Sequence, residues 1–190
     1  FLSIQSLLGD VSGKRVAVQG AGAVGFGLCD LLAKQGALLI VADIDLGRLE
    51  RARALGAEIA PVERIHAVDA DLFAPCALGA GLNLDTIPEL GARIVCGAAN
   101  NQLATEADGA RLQERGVVYA PDYIVNAGGI INVSAEYLGE SADKVEARVR
   151  AIPNRLALVM DAAKRQSLPP NVAADTMARQ RIALGPARAH

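Results

Sequence analysis

The stretch Gly20-Ala21-Gly22-Ala23-Val24-Gly25 constrains the fold more than any other, because it joins an apolar run to an amphipathic one. Arg15-Val16-Ala17-Val18-Gln19 before it reads as a buried strand, and Val24, Leu28, Leu31 and Leu32 after it recur at helical spacing. A G-x-G-x-x-G pattern therefore opens a helix directly after a strand. In that setting Gly20 makes the tight turn, Gly22 lets backbone approach a pyrophosphate, and Gly25 packs helix against strand. The anion would lie on the helix N-terminus, where free N–H groups and the helix dipole favour negative charge. Glycines in a strand-to-helix turn can also be purely structural, so the pattern draws its meaning from the strand that follows.

That strand is Ala37-Leu38-Leu39-Ile40-Val41-Ala42, a continuous apolar run after the helix-ending Gly36, and it finishes on Asp43. About 20 residues past the glycines, a carboxylate at the tip of the second strand can accept both ribose hydroxyls of an adenosine. The same carboxylate repels a 2′-phosphate, and no arginine follows at once in Ile44-Asp45-Leu46-Gly47, so NAD is expected rather than NADP. The competing reading is that Asp43 or Asp45 only caps the helix from Leu46 to Leu55.

At 190 residues the chain is long enough for one domain with appendages and a sizeable core. Apolar content is 52%, yet charges interrupt it throughout, and no run approaches the roughly 20 residues that cross a bilayer. Such richness suits a parallel sheet covered on both faces. A net charge of −2 and only 3% aromatic residues supply neither a basic field nor a stacking platform, which argues against a nucleic-acid partner. Cys29, Cys76 and Cys96 are odd in number and far apart, which is free-thiol usage and points to a reducing cytoplasm. His66 and His190, the two histidines, have no metal-ligand neighbour at useful spacing, so no metal is expected. The N-terminal residues lack a positive lead and a signal-cleavage pattern, and the missing initiator Met suggests that sequence lies upstream.

Along the chain, Phe1 to Leu8 reads as a helix end. Leu46 to Leu55 is a charged helix, Glu58-Ile59-Ala60 a short strand, and the signal beyond Pro61 is poor. Asp71 to Pro75 is a strand running into the small-residue loop Cys76-Ala77-Leu78-Gly79-Ala80-Gly81. Thr86 to Leu90 is a short helix, Arg93 to Ala98 a strand, Thr105 to Arg115 a helix and Val117 to Ala120 a strand. This alternation implies an α/β fold, a Rossmann-type doubly wound parallel sheet, whose ligands gather at the carboxyl ends of the strands. Gly20, Asp43, Cys76, Asn100 and Asn126 should therefore converge on one crevice. From Ser141 a long helix carries the stripe Val145, Val149, Ile152, Leu156, Val159 and Ala163, with a break expected near Ile152 because of Pro153. A last helix runs from Val172 to Leu184. The expected division is a cofactor domain over 1–140 and a C-terminal helical segment over 141–190.

Several stretches go beyond a generic dinucleotide fold: Val16-Ala17-Val18-Gln19-Gly20, Ala74-Pro75-Cys76-Ala77-Leu78-Gly79, Gly97-Ala98-Ala99-Asn100-Asn101-Gln102 and Tyr119 to Gly129. Together they resemble the cofactor-binding half of the leucine/valine/phenylalanine dehydrogenases, from about Ser12 to Leu184. The resemblance implies reversible, NAD-dependent oxidative deamination of an apolar L-amino acid to a 2-oxo acid and ammonia, in a homo-oligomer. It implies that the glycine loop (Gly20, Gly22, Ala23, Val24, Gly25) with Asp43 and Ile44 holds adenosine and pyrophosphate. Cys76, Ala77, Leu78, Ala98, Ala99 and Asn100 would line the cofactor, and Asn126 would lie near the nicotinamide and substrate.

The family's N-terminal domain carries a glycine-rich segment with a catalytic lysine, a second lysine for the substrate carboxylate, and a catalytic aspartate. None of those motifs occurs in this sequence, and Lys14, Lys34, Lys144 and Lys164 read as a turn residue and three solvated helix positions. No catalytic residue is therefore assigned. The expectation is a cofactor domain separated from its substrate domain and inactive alone; the alternative is a stand-alone dinucleotide-binding regulatory or redox-sensing module. Structural alternatives stand beside several site residues. Asn100-Asn101 suit a left-handed turn, Asn126 suits a helix N-cap, and Cys76, with no histidine placed to activate it, reads as wall rather than nucleophile.

Overall fold

A computed structural model describes residues 1–77 and 79–185. Leu78, expected at the cofactor, and His190 lie outside the described residues. Six strands form one sheet: β1 (Arg15–Gln19), β2 (Leu38–Ala42), β3 (Glu58–Ile59), β4 (Leu72–Pro75), β5 (Ile94–Val95) and β6 (Val118–Tyr119). Their order is β3-β2-β1-β4-β5-β6, and every pairing is parallel. This is the 3-2-1-4-5-6 order of the doubly wound dinucleotide fold, whose ligand crevice opens where the winding reverses, between β1 and β4.

The strands alternate between two cores with the period of two that a pleat imposes. Val16, Val18, Leu39, Val41, Leu72 and Ala74 face one cluster, which also takes Ile4 of α1 (Leu2–Leu8), Leu28, Cys29 and Leu32 of α2 (Ala23–Lys34), and Leu49 and Ala52 of α3 (Leu46–Ala54). Ala17, Ile40, Ala42 and Phe73 face the other, with Ile65 and Ile87 of two short 3-10 turns and Leu112 of α4 (Asp108–Glu114). Both faces being covered explains why the strands read as unbroken apolar runs rather than alternating ones.

The central elements match the sequence reading, and the outer strands are shorter than it. Only Ile94–Val95 of the expected 93–98 strand pairs with its neighbours. Beyond it the chain crosses β4 so closely that a Cβ on Gly97 would strike the Pro75 carbonyl oxygen. The segment of poor signal after Pro61 is a 3-10 turn, Val62–Ala67, anchored by the buried Ile65.

The C-terminal third is helical: α5 (Asp122–Val125), α6 (Gly128–Leu138), α7 (Ala142–Arg150), α8 (Ile152–Gln166) and α9 (Pro170–Ala183). The expected break is found at Ala151, so that Pro153 falls in the first turn of α8, where its missing N–H has no partner to lose. Of the expected stripe, Ile152, Leu156, Val159 and Ala163 are buried, and Leu156 joins the sheet core, whereas α7 buries no residue fully. Among the described residues no helix is long and apolar enough to cross a membrane, and no group of three or more His, Cys, Asp or Glu could hold a metal ion.

Candidate functional site

The three glycines of the loop have different physical reasons to be glycine. Gly20 has φ +95°, and a Cβ there would stand 2.9 Å from the Ala77 side chain. A Cβ on Gly25 would collide with the Gly20 carbonyl oxygen, so this residue lets α2 lie against the β1 turn. Gly22 is unlike both: its φ is −62°, open to any residue, and a Cβ would meet only the Arg48 guanidinium at 3.9 Å. Nothing inside the chain asks for glycine at that position, and the space above it is free for a ligand. Gly22 is also the N-cap of α2 and supplies no side-chain cap, so the first-turn N–H groups at Ala23 and Val24 have no acceptor among the described residues. Ala23 and Val24 are both exposed there, Val24 at 63%.

Asp43 sits at the end of β2 with its side chain 4% exposed. Its Oδ2 accepts the Ala21 N–H at 2.6 Å and its Oδ1 accepts the Asp45 N–H at 2.9 Å. Burial alone would raise this carboxyl, but the N–H groups of Asp45 and Ala21 and the nearby Arg48 guanidinium outweigh it and hold the pKa below the usual carboxylate range. A carboxylate has about four acceptor positions; two are used internally, which leaves one on each oxygen for a pair of hydroxyls. The capping alternative is resolved between neighbours. Asp45, not Asp43, caps α3 by accepting the Arg48 N–H at 3.0 Å. Ile44 is 88% exposed beside it and Leu46 is 77% exposed, two apolar side chains flanking the carboxylate.

At the other end of the crevice, Cys76 follows β4, Ala98, Ala99 and Asn100 follow β5, and Asn126 closes α5. Ala77 is exposed against Gly20, while Ala99 is buried and donates its N–H to the Pro75 carbonyl at 2.8 Å. The Asn126 amide donates from Nδ2 to Asn100 Oδ1 at 2.8 Å, across 26 residues of sequence. Asn126 therefore does not cap the helix that follows; the residue there is Ala127, without a side-chain cap bond. The two asparagines of the 100–101 pair also divide their work. Asn101 carries the left-handed turn at φ 53°, leaving the Asn100 side chain to pair with Asn126. Burial pushes the Cys76 thiol up despite the nearby Ala98 N–H, which keeps it protonated and suits a wall position. An apolar cavity of about 390 Å³ adjoins this end, lined by Phe1, Ile4, Val24, Leu31, Ala98, Val125, Asn126, Val149 and Ile152.

Four contributors escape a sequence reading. Arg48 reads as one more arginine on a charged helix, yet its Nη1 lies 3.6 Å from Asp43 Oδ2. Gln102, 1% exposed, donates from Nε2 to the carbonyls of Gly97 and Ala99 at 2.9 and 3.0 Å and so fixes the loop beneath Asn100. Phe1, the N-cap of α1, and Ile4 within it, part of the segment that reads as a helix end, line the apolar cavity. Tyr123, to which the sequence assigns no role, places its hydroxyl 2.9 Å from the Asp175 carboxylate and 3.0 Å from the Asn171 carbonyl, tying α5 to α9.

The sequence profile of the Glutamate/Leucine/Phenylalanine/Valine dehydrogenases matches residues 44–185. Leucine dehydrogenase of Thermoactinomyces intermedius is 47% identical over 173 residues, 90% of this chain and 47% of its own. Valine dehydrogenase of Streptomyces coelicolor is 41% identical over 185 residues, 94% of this chain and 51% of its own. The crystal structure of L-tryptophan dehydrogenase from Nostoc punctiforme superposes with a TM-score of 0.92 at 40% identity, covering 96% of this chain and 57% of that one. The chain thus spans about half the length of the relatives it matches.

Proposed function

The chain belongs to the Glutamate/Leucine/Phenylalanine/Valine dehydrogenase family, and we propose accordingly that it is the NAD-binding part of an amino-acid dehydrogenase acting on an apolar L-amino acid. The observation that carries the cofactor reading is Gly22, whose Cβ would meet nothing in the chain closer than the Arg48 guanidinium at 3.9 Å although its backbone angle suits any residue. Gly22 is the second glycine of the G-x-G-x-x-G loop, the position at which a missing side chain lets the backbone approach a pyrophosphate. Asp43, with one free acceptor position on each oxygen, fits the two ribose hydroxyls. The exposed Ile44 and Leu46 offer apolar contact for an adenine face.

Bound at this crevice, NAD would supply the hydride acceptor for the oxidation of the amine carbon. This chain's own residues bind and orient. The open N–H groups at the start of α2 neutralise phosphate charge, and Cys76, Ala77 and Ala98 form a low wall beside them. Asn126, held in one rotamer by Asn100, would present its amide to the reacting end. The deamination also needs a base for the ammonium proton and a group that handles water. None of the four lysines is assigned that role: Lys14 pairs with Asp71 and Lys34 with Asp30, while Lys144 and Lys164 are exposed on α7 and α8. We assign the catalytic groups and most of the side-chain pocket to a substrate domain that this chain does not contain, docked on the side of α6 and α7, in a cytoplasmic homo-oligomer. Leucine, valine and tryptophan dehydrogenases are all among the relatives, and what their substrates share is an apolar side chain.

Calorimetric titration with NAD tests the reading. Wild type should bind one equivalent and Gly22→Val none, with both giving the same circular dichroism spectrum. Equal binding by the two would remove the loop from the site.

A further inference from the structure

Arg48 occupies a position that the ribose reading leaves unexplained. Its backbone N–H is fixed by Asp45 in the first turn of α3, and from there the guanidinium returns to the glycine loop. Nη1 stands 3.6 Å from Asp43 Oδ2 and 3.9 Å from the point where a Cβ on Gly22 would lie. One cation therefore faces both the ribose anchor and the phosphate cradle. The other arginines of α3 are engaged elsewhere: Arg51 stacks 3.9 Å above the Phe26 ring and Arg53 pairs with Glu50.

The contact with Asp43 is an ion pair too long for a hydrogen bond, and among the described residues the Arg48 guanidinium donates no hydrogen bond at all. The side chain is 47% exposed, so it can turn towards a ligand without leaving a buried bond unmade. Its charge also lies where a bare Asp43 would repel a 2′-phosphate. A guanidinium offers a planar fork of donors that matches phosphate oxygens and stays charged at every working pH.

We propose that Arg48 is the specificity-determining residue of the adenosine end, offsetting Asp43 and receiving a 2′-phosphate, so that the crevice accepts NADP as well as NAD. This rests on the cofactor reading above and goes against the simple expectation that an acidic residue at the tip of β2 excludes the phosphorylated cofactor. The free acceptor positions of Asp43 serve the hydroxyls of NAD. Arg48 serves the 2′-phosphate of NADP by swinging away from Asp43 over a distance that its flexible stem covers.

The test titrates the chain and its variants Arg48→Gln and Arg48→Lys with NAD, NADP, 5′-AMP and adenosine 2′,5′-bisphosphate. Wild type should bind both dinucleotides. Loss of a charge-assisted phosphate contact should shift the NADP-to-NAD affinity ratio of Arg48→Gln by about tenfold or more towards NAD, with the same shift between the two adenosine nucleotides. Arg48→Lys, which keeps the charge without the fork, should restore part of it. A ratio changed by less than about threefold, under 1 kcal/mol, overturns the role of Arg48 and leaves the NAD reading standing. So does wild type that binds NAD but not NADP. Wild type that binds neither dinucleotide overturns both.

Discussion

At the glycine-loop end of the crevice, the carboxylate of Asp43 is buried, bonded by two backbone N–H groups of its own chain and faced by a cation. At the far end, Asn100 and Asn126 bond each other and stand beside an apolar cavity. Next to them α6 leaves Ile130, Val133 and Tyr137 at 67, 60 and 89% exposure, one face of a helix that the described residues leave open. One end is thus fixed by contacts inside this chain, and the other leaves an apolar cavity and an apolar helix face open. On the function proposed above, the difference divides binding, assigned to this chain, from chemistry, assigned to a substrate domain.

The largest effect should come from the loop itself, where two glycines three residues apart should fail in different ways. Gly22→Val should abolish NAD binding, a loss of at least about a hundredfold, with unchanged thermal stability. Gly25→Val should lose stability as well as binding, because its Cβ meets the Gly20 carbonyl oxygen. Differential scanning calorimetry beside the titrations would separate them, and equal melting points would break the distinction.

Asp43→Ala should come next, weakening NAD by about 1–3 kcal/mol, the range for a removed hydrogen-bond partner. Asp43 also makes the folded state pH-dependent. Its folded pKa is depressed, so its contribution to stability is complete above the unfolded value of about 3.9 and disappears as pH falls through the folded pKa. Asp43→Asn should accordingly be less stable than wild type at pH 7, and the gap should close on acidification. A gap that widens in acid would contradict the bonding described at this carboxylate.

Much of this first region is legible in the residues, and the reason is local. A turn that demands glycine, a strand of unbroken apolar residues and an acid at its tip lie within 24 residues, and each leaves its own mark on the sequence. Helix ends at Gly36, Gly56 and Gly116 are equally readable, since all three adopt positive φ. The second region is assembled from distant pieces. Nothing in the sequence pairs Asn126 with Asn100 or sets Gln102 beneath the loop, and Arg48 differs from the other arginines of α3 only in where its guanidinium points. The overlong reading of β5 has the same origin. Cys96, Gly97 and Ala98 are as apolar as a strand, but the regular ladder ends once Cys96 has donated its N–H to the Phe73 carbonyl, where Gly97 passes close over Pro75.

Smaller effects are expected at the far end. In the isolated chain, Asn126→Ala should weaken NAD by no more than about 1 kcal/mol, the value of one ordinary hydrogen bond. Once the substrate domain is restored by fusion or co-expression, the same variant should lower kcat more than NAD affinity. Equal loss of both, or of neither, would remove Asn126 from the reacting end. The smallest change belongs to the α6 face. Ile130→Ser with Tyr137→Ser should leave the isolated chain within about 0.5 kcal/mol of wild type, as exposed positions do, while weakening its association with the added domain. Destabilisation of the chain itself would mean that this face is already packed.

Whether this chain binds without reacting is decided by one paired measurement on the isolated 190 residues. NAD is titrated by calorimetry, and NADH formation is then followed by its absorbance with leucine, valine and phenylalanine. One equivalent of NAD should bind, and no NADH should form. Appreciable NADH from any of the three amino acids would contradict the division between binding and chemistry, because the base and the water-handling group would then have to lie in this chain.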